Sequence, residues 1–390
     1  MTKQKVAVLG GGNGAFAVAS DLGARGFEVS LFEDPGHARS LDAVASQGGI
    51  LIDEPDPLGH EVAFAPIACA TYDAALAVTN AELVVFVVPG YAERRFMDLV
   101  RPHLRPDQVV LFGCGTFGAA LEFLAVLGQD SDVPSIAEFE ALPVGGFKSG
   151  PAAVRLSGRK RGIGIAVLTD RDRLALSVVR AFYEDAVPVG SVLETSLGNL
   201  NPVLHPPIMI LNAGRLKGIP QPFELYTEGV TPSVAKVIDA LDTERVLVGS
   251  KFGLPLVPAL ARLQQWYAGI DRATSIFEAV TSNPAYEHVW APSALQHRFL
   301  TEDVPYGLVP LEGLARLIEC DVPITSALVS LTSAMLDTDV RVEGRSVERL
   351  GLDGLSRAAI LARVTPRDTN CLPARGLSAI TPKEQSQTTP

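Results

Sequence analysis

Short apolar runs alternating with amphipathic stretches dominate the first half of the chain. Residues 5–10 are apolar, β-branched and closed by glycine, as expected of a buried parallel strand. Residues 15–25 place apolar side chains at helical spacing, and Gly26 suits the residue that ends a helix. Residues 28–32 form the next strand, so the opening predicts a βαβ unit. Further strands are predicted at 81–89, 108–112 and 162–168, and residues 49–53 and 61–64 read as a hairpin or additional strands. Strands alternating with helices predict a doubly wound, mostly parallel sheet. From residue 191 to about 335 the pattern turns helical, for example over 208–216, 234–248 and 311–318. The expected organisation is an α/β domain over 1–190, an all-α domain over 191–360, and a disordered tail over 365–390 rich in Pro, Thr, Ser and Gln.

Composition narrows the function classes. With 390 residues, 47% hydrophobic and 20% charged, the chain can bury a large core. A net charge of −11 argues against a nucleic-acid partner, which needs clustered Lys and Arg. The one basic run, residues 159–161, reads as a solvated loop between strands. Four cysteines lie far apart without a C-x-x-C pair, so neither a metal site nor a disulfide framework is indicated. A reducing, cytoplasmic setting fits, with no signal-peptide pattern and no apolar run long enough to span a bilayer.

The turn after the first strand carries the first chemistry. Gly10-Gly11-Gly12-Asn13-Gly14-Ala15 fits G-x-G-x-x-A between a strand and a helix. The first glycine makes the turn, the second admits a pyrophosphate, and the small last residue packs helix on strand. Glu33 ends the second strand about 20 residues on, where a carboxylate accepts hydrogen bonds from the adenine ribose. A 2′-phosphate would meet that charge, so NAD(H) is favoured over NADP(H); nearby Arg39 weakens the argument, and Asp34 is an alternative ribose ligand. Pro89-Gly90 and Cys114-Gly115-Thr116 follow central strands at their carboxyl ends. Pro89 is a candidate cofactor contact and Thr116 a candidate substrate contact, though both segments read equally as connecting turns.

The second chemical element is residues 201–207, Asn-Pro-Val-Leu-His-Pro-Pro. Asn201 and His205 share a face if the segment is helical. Pro206 would kink that helix, or the helix starts only at Pro206 or Pro207. His205 is either a proton-transfer group or a satisfied structural histidine, while His37, His60 and His103 fall in surface turns. A third element, residues 298–310, offers Arg298 for a carboxylate and Asp303 to orient an imidazole, or else a surface ion pair.

Together these residues resemble the octopine/nopaline (opine) dehydrogenase family: Gly10 to Ala15, Asn201-x-x-x-His205-Pro206, and Arg298-x-x-x-x-Asp303-Val304-Pro305. Residues 228–233 and 344–352 also resemble that family's helical domain, and the likeness spans residues 4–355. The N-terminal part alone would suit ketopantoate reductases, glycerol-3-phosphate dehydrogenases or 6-phosphogluconate dehydrogenases. The resemblance implies a Rossmann domain followed by a helical domain like that of 6-phosphogluconate dehydrogenase, with the active site between them. It implies NAD(P)H-dependent reductive condensation of a pyruvate-like α-keto acid with an amino acid. It makes His205 the general acid/base, Asp303 its orienting partner, Asn201 a residue that sets the site, and Arg298 a ligand of a substrate carboxylate. A homodimer is expected. The alternatives are a 2-keto-acid or 2-hydroxy-acid reductase, with Lys217 or Lys251 as its cleft lysine, and a non-catalytic NAD-binding regulator.

Overall fold

The computed structural model describes residues 3–128, 133–170, 174–216 and 222–366, so the expected tail lies outside the described residues from 367 onward. The strands are β1 (Lys5–Leu9), β2 (Glu28–Phe32), β3 (Gly49–Ile52), β4 (Phe64–Pro66), β5 (Cys69–Thr71) and β6 (Leu83–Phe86). They continue with β7 (Val109–Phe112), β8 (Ser135–Phe139), β9 (Val144–Gly150), β10 (Ala153–Arg159), β11 (Gly164–Thr169) and β12 (Val187–Pro188). An eight-stranded sheet runs β12-β11-β8-β7-β6-β1-β2-β5. From β8 to β5 all neighbours are parallel, while β11 joins β8 antiparallel. Counted along the chain, those parallel strands follow the 3-2-1-4-5-6 order of the Rossmann fold. The order reverses between β1 and β6, and the ends of these two strands meet there. A Cβ on Gly10 would fall 2.4 Å from the Val87 carbonyl oxygen, and Gly10 has φ +121°, so only glycine fits the turn.

A second sheet, β4-β3-β10-β9, contains the strands expected at 49–53 and 61–64 as a hairpin or additional strands, and adds β9 and β10, which the pattern does not predict. β3 pairs antiparallel with β4, which begins at Phe64 where the expected second strand ends, and β9 pairs antiparallel with β10. This sheet lies on the outer side of the helix Asn13–Ala24: a Cβ on Gly146 would meet Ala17 at 3.0 Å, and one on Gly23 would meet Ala65 at 3.3 Å. Packed between two sheets, the helix is buried continuously from Ala15 to Gly23 and has small side chains where a surface helix has a polar face. Its buried Asp21 is paired with Arg25, Arg159 and His60. His60, held between Asp21 and Asp56, is therefore not a surface-turn residue, and Arg159 is not simply solvated.

Beyond β12 the regular elements are helices, including Val192–Gly198, Asn201–Leu211, Pro232–Lys251, Ala259–Trp266, Val309–Leu317 and Pro323–Leu336, with one isolated bridge between Glu224 and Trp290 among the described residues. Buried polar groups join this part to the sheet. Arg345, with no exposed surface, donates to Glu122 (2.7 Å), Glu93 (2.5 Å) and the Phe117 carbonyl (2.8 Å). Glu138 in β8 accepts from Thr195 (2.8 Å), Ser196 (3.0 Å) and the Ala120 N–H (3.2 Å). Among the described residues, no helix is long and apolar enough to cross a membrane.

Candidate active site

The segment 201–207 is helical: Asn201–Leu211 runs through Pro206 and Pro207 without starting at either. The two prolines leave the carbonyls of Pro202 and Val203 without their intrahelical donors. Tertiary packing holds the helix in spite of that. The π-helical turn Val304–Leu308 lies directly on it, where a Cβ on Gly307 would fall 2.3 Å from Pro202 Cγ. The short helix Arg298–Thr301 leads into that turn, and i+5 bonding there, from the Leu308 N–H to the Asp303 carbonyl (3.1 Å), widens the turn at Asp303.

This packing brings Asp303 to His205. His205 Nδ1 lies 2.6 Å from Asp303 Oδ2, and both residues are 6% exposed. A carboxylate only accepts, so Nδ1 carries a proton and donates it. On the opposite edge, His205 Nε2 lies 2.7 Å from Tyr226 Oη. Burial pushes the Tyr226 phenol well above its ordinary range, so it keeps its hydroxyl proton. The Phe299 ring covers the imidazole at 4.0 Å between centroids, and Tyr226 stacks on Tyr286 at 4.2 Å. Both nitrogens and one face of His205 are thus fixed. His297, in contrast, is pulled down to about 4 by burial, with Arg298 and His205 adding to it, and accepts from the Phe299 N–H (3.4 Å). It is neutral at physiological pH and serves as a helix cap.

Arg298 pairs with Glu302, not with Asp303: its Nε stands 2.9 Å from Glu302 Oε2, and its side chain is 43% exposed. Glu302 in turn accepts from the Gly90 N–H at 3.1 Å. Burial pushes the Glu302 carboxyl up to about 7, with Arg298 opposing. A Cβ on Gly90 would meet the Tyr306 ring at 2.7 Å, so the turn after β6 and the segment around Asp303 pack on each other. Pro89 caps the helix Gly90–Val100 in extended conformation. Burial also pushes the half-buried Cys114 thiol up to about 12, with Arg298 opposing, so the thiol stays protonated.

Asn201 is partly exposed one turn before His205. Its N–H donates to Asn199 Oδ1 (2.9 Å), and Asn199 Nδ2 donates to the Gly115 carbonyl (2.8 Å). Asn199 therefore ties the helix carrying His205 to the turn after β7. The buried Thr116 hydroxyl donates to Glu93 and so belongs to the Arg345 cluster, which leaves its expected substrate contact without a free hydroxyl. Lys251 is exposed at the end of its helix, and Lys217 lies outside the described residues. Asn199 and Tyr226 escaped the sequence reading, because their partners are distant along the chain and no spacing marks them.

On the sheet side, the glycine turn has the shape a dinucleotide needs. No heavy atom lies within 4 Å of the position a Gly12 Cβ would take, and Gly12 precedes a helix whose first N–H groups have no side-chain cap. A Cβ on Gly11 would lie 2.4 Å from Glu33 Oε2, so the Glu33 carboxylate stands over the turn. A Cβ on Gly14 would meet Leu142 at 2.9 Å, and Ala15 is fully buried. Asn13 Oδ1 accepts from the Lys148 N–H at 3.0 Å. Asp34 is committed to Arg95 (2.9 Å) and to the Gly36 N–H (2.8 Å), while Glu33 accepts from the Asp34 N–H through Oε1 (2.8 Å) and keeps Oε2 over the turn as the ribose candidate. Arg39 is exposed.

Known proteins share this architecture. Residues 188–336 match the family described as NAD/NADP octopine/nopaline dehydrogenase, alpha-helical domain. An opine dehydrogenase of Arthrobacter sp. (strain 1C) is 34% identical over 364 residues, covering 92% of this chain and 98% of that protein. Octopine dehydrogenase solved with NADH and L-arginine aligns with a TM-score of 0.73 at 20% identity, covering 92% of this chain and 98% of that one. Yersinopine dehydrogenase bound to NADP+ aligns with a TM-score of 0.68 at 17% identity, covering 93% and 98%.

Proposed function

The chain belongs to the octopine/nopaline dehydrogenase family, and from that premise we propose that it condenses an α-keto acid with the amino group of an amino acid and reduces the resulting imine. The observation that carries the proposal is the buried His205–Asp303 pair, 2.6 Å apart, next to residues that touch the turn after β6. Condensation passes through a carbinolamine whose hydroxyl must leave as water, which requires a proton. The imidazolium form of His205 supplies that proton from Nε2, where the substrate hydroxyl replaces the Tyr226 hydroxyl as hydrogen-bond partner, and recovers it in the reverse direction. Asp303 fixes the tautomer and offsets the positive charge of the imidazolium. Tyr226 holds Nε2 in line and keeps a hydroxyl at the atom that exchanges the proton. Arg298 uses Nε on Glu302, and its exposed outer edge is free to hold a substrate carboxylate. Asn201 lines the same helix face as His205.

A nicotinamide dinucleotide, when bound, supplies the hydride. The residues that would hold it are Gly10, Gly12, Asn13, Gly14 and Ala15 at the turn, Glu33 at the adenine ribose, and Pro89 at the neighbouring strand end. Glu33, aimed over the turn while Asp34 is occupied, favours NAD(H) over NADP(H). The test is NADH oxidation with pyruvate against a panel of amino acids, with controls containing the keto acid or the amino acid alone. Oxidation that requires both substrates supports the proposal. Equal oxidation with the keto acid alone would make the enzyme a 2-keto-acid reductase, and tight NADH binding without turnover would make the protein a regulator.

A further inference from the structure

The glycine turn is overlaid by a cation that the G-x-G-x-x-A motif does not call for. Lys148 belongs to β9, in the small sheet, and reaches back over the start of the helix Asn13–Ala24. Its N–H donates to Asn13 Oδ1 at 3.0 Å, its Nζ donates to the Gly11 carbonyl at 3.2 Å, and its Nζ stands 3.8 Å from the centre of the Phe16 ring. Main chain and ammonium are both anchored, although the residue is partly exposed. Among the described residues, no carboxylate oxygen lies within 4.0 Å of that Nζ. Burial pulls its pKa down, with Glu33 opposing at longer range.

This placement is electrostatically poor for the free protein. The start of a helix carries partial positive charge, and an ammonium is held beside it without an ion pair of its own, the Glu33 carboxylate standing over Gly11 beyond ion-pair distance. The gap next to Gly12 is open, and unpaired N–H groups border it. An anion entering that gap would neutralise both positive groups at once, and the two would then stabilise it together. A neutral ligand gains nothing from the lysine.

We propose that Lys148 is a phosphate ligand of the dinucleotide, contributed by the small sheet and not by the Rossmann turn itself. The inference rests on the reading of residues 10–15 as the cofactor turn. Its consequence concerns cofactor choice: a cation so close to Glu33 would offset the repulsion between Glu33 and a ribose 2′-phosphate. The recognised group is a phosphate in either case, the pyrophosphate shared by NADH and NADPH or the 2′-phosphate carried by NADPH alone.

Lys148→Met removes the ammonium that stands over Phe16 and leaves an unbranched apolar chain of similar length to cover the ring. NADH and NADPH are titrated into the full chain and followed by nucleotide fluorescence, without substrates. A roughly tenfold rise in Kd for both nucleotides, recovered in Lys148→Arg, assigns the contact to the pyrophosphate. A rise for NADPH alone assigns it to the 2′-phosphate. Unchanged Kd for both overturns the inference. Gly12→Val keeps the two readings apart. Gly12 has φ −84° and open space, so the free protein accommodates valine, whose side chain fills the place of the phosphate. If Gly12→Val binds NADH as the parent does, the cofactor turn itself has been misread. If Gly12→Val fails to bind while Lys148→Met binds normally, only the role of Lys148 falls. Thermal melting without nucleotide verifies that each variant is folded.

Discussion

Replacing Asp303 with asparagine tests the proton-transfer pair with little damage to the fold. The residues are isosteric, and the substitution removes a buried charge without stranding one. Asparagine can still accept from His205 Nδ1–H through its amide oxygen, so what disappears is chiefly the charge facing the imidazolium. Bare Coulomb attraction at 2.6 Å overstates this loss, since burial has already cost both groups their water. The net value of a hydrogen bond to a charged group is ~1.5–3 kcal/mol, which corresponds to a fall of roughly 10- to 150-fold in rate when the charge develops in the transition state. The expected result of Asp303→Asn is a loss of that size in kcat for the coupled reaction, measured by initial NADH oxidation under saturating substrates. The NADH Kd should stay unchanged, because Asp303 does not touch the glycine turn. Combining Asp303→Asn with His205→Ala should lose no more than His205→Ala alone, as the carboxylate acts only through the ring. A kcat within twofold of the parent, or a double variant far worse than His205→Ala, would refute the reasoning.

Other parts of the structure yield further expectations. Tyr226→Phe removes one hydrogen bond from His205 Nε2; it should lower kcat by about 2- to 10-fold and leave NADH binding intact, and an unchanged kcat would show that the phenol is only packing. Arg345→Met leaves the buried Glu93 carboxylate without a charged partner, while Glu122 keeps Arg349, which should cost ~3–5 kcal/mol in urea unfolding; a loss below about 1 kcal/mol would contradict the idea that this cluster fastens the two parts of the chain. Burial raises Glu138 to about 7, so the folded state binds a proton that the unfolded state releases near pH ~4.3, and this group's contribution falls as pH rises through that window. Glu138→Gln does not titrate, so its melting temperature relative to the parent should improve from pH 5 to pH 8; a difference independent of pH would contradict the shift.

What the sequence reveals is what neighbouring residues encode. The glycine turn, the strand before it and Glu33 lie within one βαβ unit, so their spacing carries the geometry. His205 and Asp303 are recognisable only through resemblance, since nothing local brings residues this far apart together. Where non-local packing overrides local preference, the pattern misleads. Residues 201–211 hold a helix through two prolines because the turn around Gly307 is packed against it. β8 is hidden by Glu138, a buried carboxylate whose donors Thr195 and Ser196 come from a later helix. β9 and β10 are obscured by glycines that weaken a strand signal; Gly146 is needed there for the close approach to Ala17. Lys148 shows the same limit, because its position over the glycine turn follows from a strand that the pattern did not reveal.

The central claim is that one site joins two substrates before hydride transfer. The most direct measurement uses NADH deuterated at the transferred position of the nicotinamide, pyruvate and an accepted amino acid, with mass spectrometry of the products. The account predicts a secondary-amine dicarboxylate carrying one deuterium, formed only when both substrates are present and suppressed in His205→Ala. Deuterium recovered in a 2-hydroxy acid, at a rate indifferent to the amino acid, would contradict it.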